Sequence, residues 1–182
     1  NVNSTANFTA GTSTINNMTQ SFGNVTVNSA GTLTLNAGRP TIAGVFTLTA
    51  GFFAVGTNSL TLNGTFASTG TGTFSLTDGV TIGGSGGDYG TLRFTAAPTL
   101  TSFTMNRASA GTVGITQALT IGAAGTLNLT NGVINSGGNL ISVTNGAAAS
   151  VTNTGGTASY VNGVLQRTLA ANLSAATILF PI

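Results

Sequence analysis

Leucine, phenylalanine, valine and isoleucine alternate with threonine, serine and asparagine along most of this chain, and the alternating runs close on glycine. The pattern is sharpest in Leu33-Thr34-Leu35-Asn36-Ala37-Gly38, Phe46-Thr47-Leu48-Thr49-Ala50-Gly51, Leu60-Thr61-Leu62-Asn63-Gly64 and Phe74-Ser75-Leu76-Thr77-Asp78-Gly79. It returns in Leu127-Asn128-Leu129-Thr130-Asn131-Gly132 and Ile141-Ser142-Val143-Thr144-Asn145-Gly146, with weaker copies at Val25-Thr26-Val27 and Leu119-Thr120-Ile121. The starts Leu33, Phe46, Leu60 and Phe74, and again Leu127 and Ile141, follow one another at a nearly constant step of about 14 residues. A period of two puts the apolar residues on one face of a half-buried strand and the polar residues on the other. Threonine, being β-branched, suits the outer face, and Asn or Asp before Gly supplies a turn because both tolerate positive φ. Leu33, Leu35, Leu48, Leu60, Leu62, Leu76, Leu127, Leu129, Ile141 and Val143 are therefore expected inside. Thr34, Thr47, Thr61, Ser75, Asn128 and Ser142 are expected outside.

Short strands with a turn signal roughly every 8 to 14 residues predict an all-β fold. No segment carries a sustained apolar stripe of helical period, and glycine, at 27 copies, disfavours helix interiors. The similar spacings and the absence of Trp favour a parallel β-solenoid with a narrow interior of small and medium apolar residues. The general crossover preference makes it right-handed. The alternative is one or two antiparallel β-sandwiches. A longer period overlies the short one: Gly31 through Leu62 aligns with Gly111 through Val143 at an offset of 80 to 81, with Gly51 on Gly132 and Asn58 on Asn139. The expected organisation is one continuous array. Residues 1–82 form a first half, 83–90 a glycine-rich flexible junction, and 91–182 a second half with a C-terminal strand segment.

Charge changes the picture by its scarcity. The chain has four Arg, two Asp and no Lys, Glu, His, Cys or Trp, so 3% of its residues are charged while 41% are hydrophobic. Disorder by self-repulsion is excluded. The high nominal pI reflects a net charge of +2 on a nearly uncharged chain, and Arg39, Arg93, Arg107 and Arg167 are scattered along it. Nucleic-acid binding, which needs clustered cations, is not expected. Neither is membrane insertion, since no run of eighteen apolar residues occurs. The chain opens within Asn/Thr/Ser-rich sequence and carries no signal peptide at Asn1, as an internal or processed segment would. A surface kept wet by Thr, Asn, Ser and Gly rather than by Lys and Glu suits secreted, cell-surface material. Such a surface offers little repulsion against self-association.

Candidate chemistry is sparse. Ser-His and Cys-His nucleophiles and the usual zinc, iron and copper ligands are missing. Asp78 and Asp88 both flank turn glycines, where aspartate serves the backbone. Gly83-Gly84-Ser85-Gly86-Gly87-Asp88-Tyr89-Gly90 nearly matches a calcium-binding β-roll nonapeptide, but Gly90 stands where a large apolar residue belongs and the motif occurs once. No metal or cofactor is expected. Sequons at Asn3, Asn7, Asn17, Asn24, Asn63, Asn128 and Asn172 follow from composition and carry no glycosylation reading. The pairs Thr32/Thr34, Thr47/Thr49 and Thr99/Thr101 raise an ice-binding alternative, against which stand their small number and irregular spacing.

The run Gly90-Thr91-Leu92-Arg93-Phe94 through Leu100-Thr101-Ser102-Phe103-Thr104-Met105-Asn106-Arg107, then Leu119-Thr120-Ile121 and Gly125-Thr126-Leu127-Asn128-Leu129, resembles large secreted repeat proteins of Bacteroidetes. So does Tyr160-Val161-Asn162-Gly163-Val164-Leu165-Gln166-Arg167-Thr168-Leu169 followed by Phe180-Pro181-Ile182. The resemblance implies surface export and an adhesive or fibre-like role without catalytic residues, in a chain that continues beyond such a segment. The expected function is a non-enzymatic structural subunit of an extracellular filament or cell-surface layer, polymerising head to tail with copies of itself. Its joints are expected at the apolar, strand-like ends Phe8 through Ile15 and Thr177 through Ile182, on Phe8, Ile15, Ile178, Leu179, Phe180 and Ile182. The alternative is an adhesin or stalk module that binds glycans or other cell-surface proteins.

Overall fold

The structure, a computed structural model, describes residues 4–9, 11–67, 69–171 and 178–182. The chain winds through about eight turns of a parallel β-solenoid. The first turn holds β1 (Thr5–Phe8), β2 (Ser13–Ile15) and β3 (Ser21–Phe22). The second holds β4 (Asn24–Leu35), which bends through a corner and supplies two sides, and β5 (Thr41–Ile42). The third repeats this plan with β6 (Val45–Gly56) and β7 (Leu60–Leu62). In the fourth the corners interrupt the strands, giving β8 (Thr65–Phe66), β9 (Thr73–Leu76) and β10 (Gly79–Ile82). β11 (Asp88–Leu92) and β12 (Thr99–Asn106) form the fifth turn, and β13 (Thr112–Ile115) opens the sixth. The long β14 (Leu119–Val143) completes the sixth and begins the seventh, which β15 (Val151–Asn153) closes before β16 (Ser159–Arg167) makes the last turn.

Strand pairing is parallel throughout, and the register sorts the strands into three ladders, one per side. The first runs β1–β4–β6–β8 and resumes as β11–β13–β14–β16. The second starts with β2–β4–β6–β9 and is carried past β9 by the bridge Phe74–Phe94. The third is unbroken. Its outward column reads Ser21, Thr41, Thr61, Thr81, Thr104, Asn128, Thr152. Neighbours in that column are about 20 residues apart up to Thr81 and about 24 residues apart beyond it, within the range of solenoid repeats. This step, not the shorter spacing of the sequence motif, is the turn of the solenoid. Leu33 sits beneath Phe53 and Phe53 beneath Phe74, so two turns lead from Leu33 to Phe74. Three motif steps cover the same stretch of chain, and each step therefore advances two of the three sides. The longer offset in the sequence likewise relates different sides: Asn58 stands after the second ladder, Asn139 after the first. The local chemistry still repeats. Asn58 Nδ2 donates to Leu35 O and Val55 O at 3.0 and 2.8 Å, and Asn139 Nδ2 to Ile115 O and Ser136 O at 3.1 and 2.8 Å.

All ten residues expected inside are buried, and the six expected outside are half-exposed. The interior differs from expectation in one respect. It is not restricted to small and medium residues: Phe46, Phe53, Phe66, Phe74, Tyr89 and Phe94 form an aromatic cluster with ring centroids 4.8 to 6.5 Å apart. A three-sided turn is wide enough for rings meeting edge to face, a favoured aromatic geometry.

The glycine-rich stretch 83–90 forms the corner of the solenoid between β10 and β11. β10 before it pairs with β7 and β12, and Asp88 within it starts β11. Its backbone needs glycine at Gly84, where φ is +83° and a Cβ would collide with Asn63 O. At the far end, the expected strand Thr177–Ile182 is absent over its described part. Ile178–Ile182 is irregular chain; Thr177 lies outside the described residues, as does Asn172.

Candidate functional site

Three of the four arginines are built into corners. Arg107, 2% exposed, follows Phe103 and Met105 in the same inward phase. Its guanidinium donates to Gly87 O (2.9 Å), Gly83 O (2.8 Å), Gly86 O (2.9 Å) and Asn63 O (3.2 Å), and lies 5.6 Å from the Tyr89 ring centroid. Arg93 donates to Gly72 O and Leu48 O at 3.0 and 2.6 Å over the Phe66 ring. Arg167 reaches Leu179 O, Ala148 O and Ser150 Oγ at 2.8, 3.1 and 3.0 Å, facing Phe180. Burial pulls the pKa of Arg93 and Arg167 below the ordinary arginine value. Each guanidinium donates to carbonyls at or beside a corner, where buried backbone needs partners, and Gly87 O also accepts from Thr112 N at 3.2 Å.

The nonapeptide-like loop takes on a different meaning in this light. Carbonyls that such a loop would offer a cation already surround the guanidinium of Arg107. Asp88 Oδ1 accepts from Gly90 N at 3.2 Å and from Thr112 Oγ1 at 2.8 Å. Asp78 is used the same way: its Oδ1 accepts from Thr101 Oγ1 of the next turn at 2.5 Å. Neither aspartate is brought to the other, and among the described residues no group of three potential metal-ligating side chains forms. Tyr89 is fully buried and its hydroxyl has no hydrogen-bond partner. Burial pushes that hydroxyl far above the ordinary tyrosine pKa, with the charge of Arg107 opposing in part.

The residues expected at the joints fall into two groups at opposite ends. Phe8 and Ile15 lie together on the first turn, half-buried against the core beside Ala6 and Phe22. Among the described residues β1, β2 and β3 each pair on one side only. Ile178, Leu179, Phe180 and Ile182 lie at the other end as a tail folded over the last turn. Pro181 O accepts from Val161 N at 2.8 Å, Leu179 O is held by Arg167, and Ile182 is 71% exposed. The threonine pairs do not form one array: Thr32 and Thr34 are on the second ladder, Thr47 is on the first, and Thr99 is in β12.

A groove opens at the corner leading into the third ladder. It measures about 530 Å³ and is lined by Thr19, Gly38, Arg39, Thr57, Asn58 and Asp78. No helix of the described residues is long and apolar enough to cross a membrane. No protein-family model, curated protein or solved structure matches this chain.

Sequence reasoning treated the arginines as scattered and missed their corner role. The signal was present in the alternation. Carried one step past Phe103 and Met105 it puts Arg107 inside, and past Leu165 it puts Arg167 inside.

Proposed function

We propose that the chain is a non-enzymatic structural module of an extracellular filament or cell-surface layer, assembling through strand edges. The observation that carries this reading is the first turn. Among the described residues β1, β2 and β3 each pair with a single strand (β4, β4 and β5), over an apolar floor of Ala6, Phe8, Ile15 and Phe22. Neither Arg nor Asp lies in this turn to discourage pairing, and unprotected edges of this kind recruit further strands. A rung from a second copy would satisfy those groups and continue the core. The opposite end is the partner surface, where the tail Ile178–Ile182 occupies part of the last turn.

The structural roles of both aspartates and of three arginines support a non-catalytic reading. The scarcity of charge supports an extracellular setting and the family resemblance noted from the sequence. Light scattering tests the joint. Phe8→Lys with Ile15→Lys should reduce the assembled mass to monomers or short oligomers, while Thr61→Lys with Thr104→Lys, on the side of the solenoid, should leave it unchanged. The reverse result would move the joint to the lateral face. Assembly should also persist from dilute buffer to about 1 M salt, because backbone pairing and apolar burial are weakly screened.

A further inference from the structure

Arg39 is the exception among the charged residues. The other three arginines hold corner carbonyls and both aspartates accept hydrogen bonds from the next turn. Arg39 is exposed and, among the described residues, its guanidinium has no hydrogen-bond or ion-pair partner. In a chain with six charged residues, this is the one whose charge the fold does not use.

Its surroundings are those of a groove. Thr19, Arg39, Thr57, Asn58 and Asp78 come from four successive turns at the same corner, so the groove runs along the solenoid axis. Three rung steps give it a length of about 14 Å. Its volume, about 530 Å³, falls within the range of ligand clefts. Asn58 is fixed by its two bonds to backbone carbonyls and Asp78 by Thr101, so the polar floor is held in place before a ligand arrives.

We propose that this groove binds an extended acidic polysaccharide, with a uronate carboxylate on the Arg39 guanidinium and sugar hydroxyls on Thr57, Asn58 and Asp78. A guanidinium presents a planar fork that matches a carboxylate with two parallel bonds. A carboxylate oxygen and an amide accept hydroxyl protons from the adjoining sugars. A linear polymer follows an axial groove, which a compact ligand would not fill. One cation suits a sparsely charged chain, whereas a nucleic acid carries a charge every few ångströms and calls for many cations. A second copy of this chain offers as anionic side chains only Asp78, which lines this same groove, and Asp88. The site does not depend on whether the solenoid polymerises.

Affinity electrophoresis or calorimetry with a partially methyl-esterified galacturonan tests it, with the fully esterified polymer, dextran and single-stranded DNA as controls. The partially esterified polymer should bind, while full esterification should abolish binding and the two other controls should not bind. Arg39→Gln should weaken binding roughly tenfold, and Arg39→Lys should fall between. Thr57→Trp, which fills the groove without touching its charge, should also block binding, and circular dichroism should find every variant folded. Equal binding by Arg39→Gln, unimpaired binding by Thr57→Trp, no binding by the native chain, or binding of dextran or DNA as strong as that of the galacturonan would each overturn the proposal.

Discussion

The two halves of the solenoid solve the same closure problem differently. Up to Thr81 the third ladder advances by about 20 residues per turn, close to the lower limit for a solenoid repeat. The corners there are short, and the interior is filled by Phe46, Phe53, Phe66 and Phe74. From Thr81 to Thr152 each turn takes about 24 residues. The core becomes mainly aliphatic, with Leu127, Leu129, Ile134, Ile141 and Val143. The added residues go into corners, and longer corners carry more backbone carbonyls away from any ladder. Arg107 and Arg167 are found there, each donating to several such groups. Arg93 stands where the halves meet and reaches back to Leu48 and Gly72. The guanidiniums that hold several carbonyls follow corner length, while Arg39 and Asp78 stand at a short corner.

The comparison is open to attack on each side. In the aromatic half, Phe74→Ala should cost about 4 kcal/mol by urea unfolding, because it empties the centre of the ring cluster. A loss under about 1 kcal/mol would mean the cluster packs loosely. In the long-turn half, Arg107→Ala should cost about 3 kcal/mol, since it leaves several corner carbonyls unsatisfied. Arg107→Lys should recover part of that, and Arg39→Ala, at a short corner and without a partner among the described residues, should lie within about 0.5 kcal/mol of the native chain. Equal losses at Arg39 and Arg107 would break the link between carbonyl-holding guanidiniums and corner length.

How much of this was legible beforehand depends on the kind of interaction. Inward and outward positions such as Leu60, Thr61 and Leu62 were readable because alternation and burial express the same two-residue period. The ladder register was harder to see. Leu33 and Phe46 look alike in sequence but lie on different sides, because a three-sided turn repeats its strand signal faster than it closes. The corner roles of Arg93, Arg107 and Arg167 were hidden for another reason. Their partners are carbonyls, which every residue has, so nothing in the sequence marks Gly83 or Leu48 as an acceptor. The tail was misread as a strand since Ile178, Leu179 and Phe180 are apolar enough for one. In the fold, Arg167 and Val161 hold it by isolated bonds instead of a ladder.

A smaller effect tests the boundary between the halves. The Tyr89 hydroxyl is buried without a partner, so Tyr89→Phe should leave stability unchanged or raise it by about 1 kcal/mol. The folded pKa of this phenol lies above its unfolded value of about 10. The unfolded chain therefore loses its proton first, and stability should fall as the pH rises above about 10. Tyr89→Phe should remove that part of the alkaline loss, and an identical alkaline profile in both proteins would contradict the assignment. The smallest expected effect is that of a calcium chelator. With Arg107 already among the loop carbonyls, the melting temperature should not move, and a drop of several degrees would put a cation back in the loop.

Assembly through the first turn is the central functional claim, and amide hydrogen exchange on monomeric and assembled protein tests it most directly. Amides in β1, β2 and β3, which pair with one strand each among the described residues, should gain protection on assembly. Those of β7, β10 and β12 on the third ladder, already paired on both sides, should change little. Unchanged exchange in Thr5–Phe8 and Ser13–Ile15, with new protection along the column from Thr61 to Asn128, would contradict it and make the lateral face the joint.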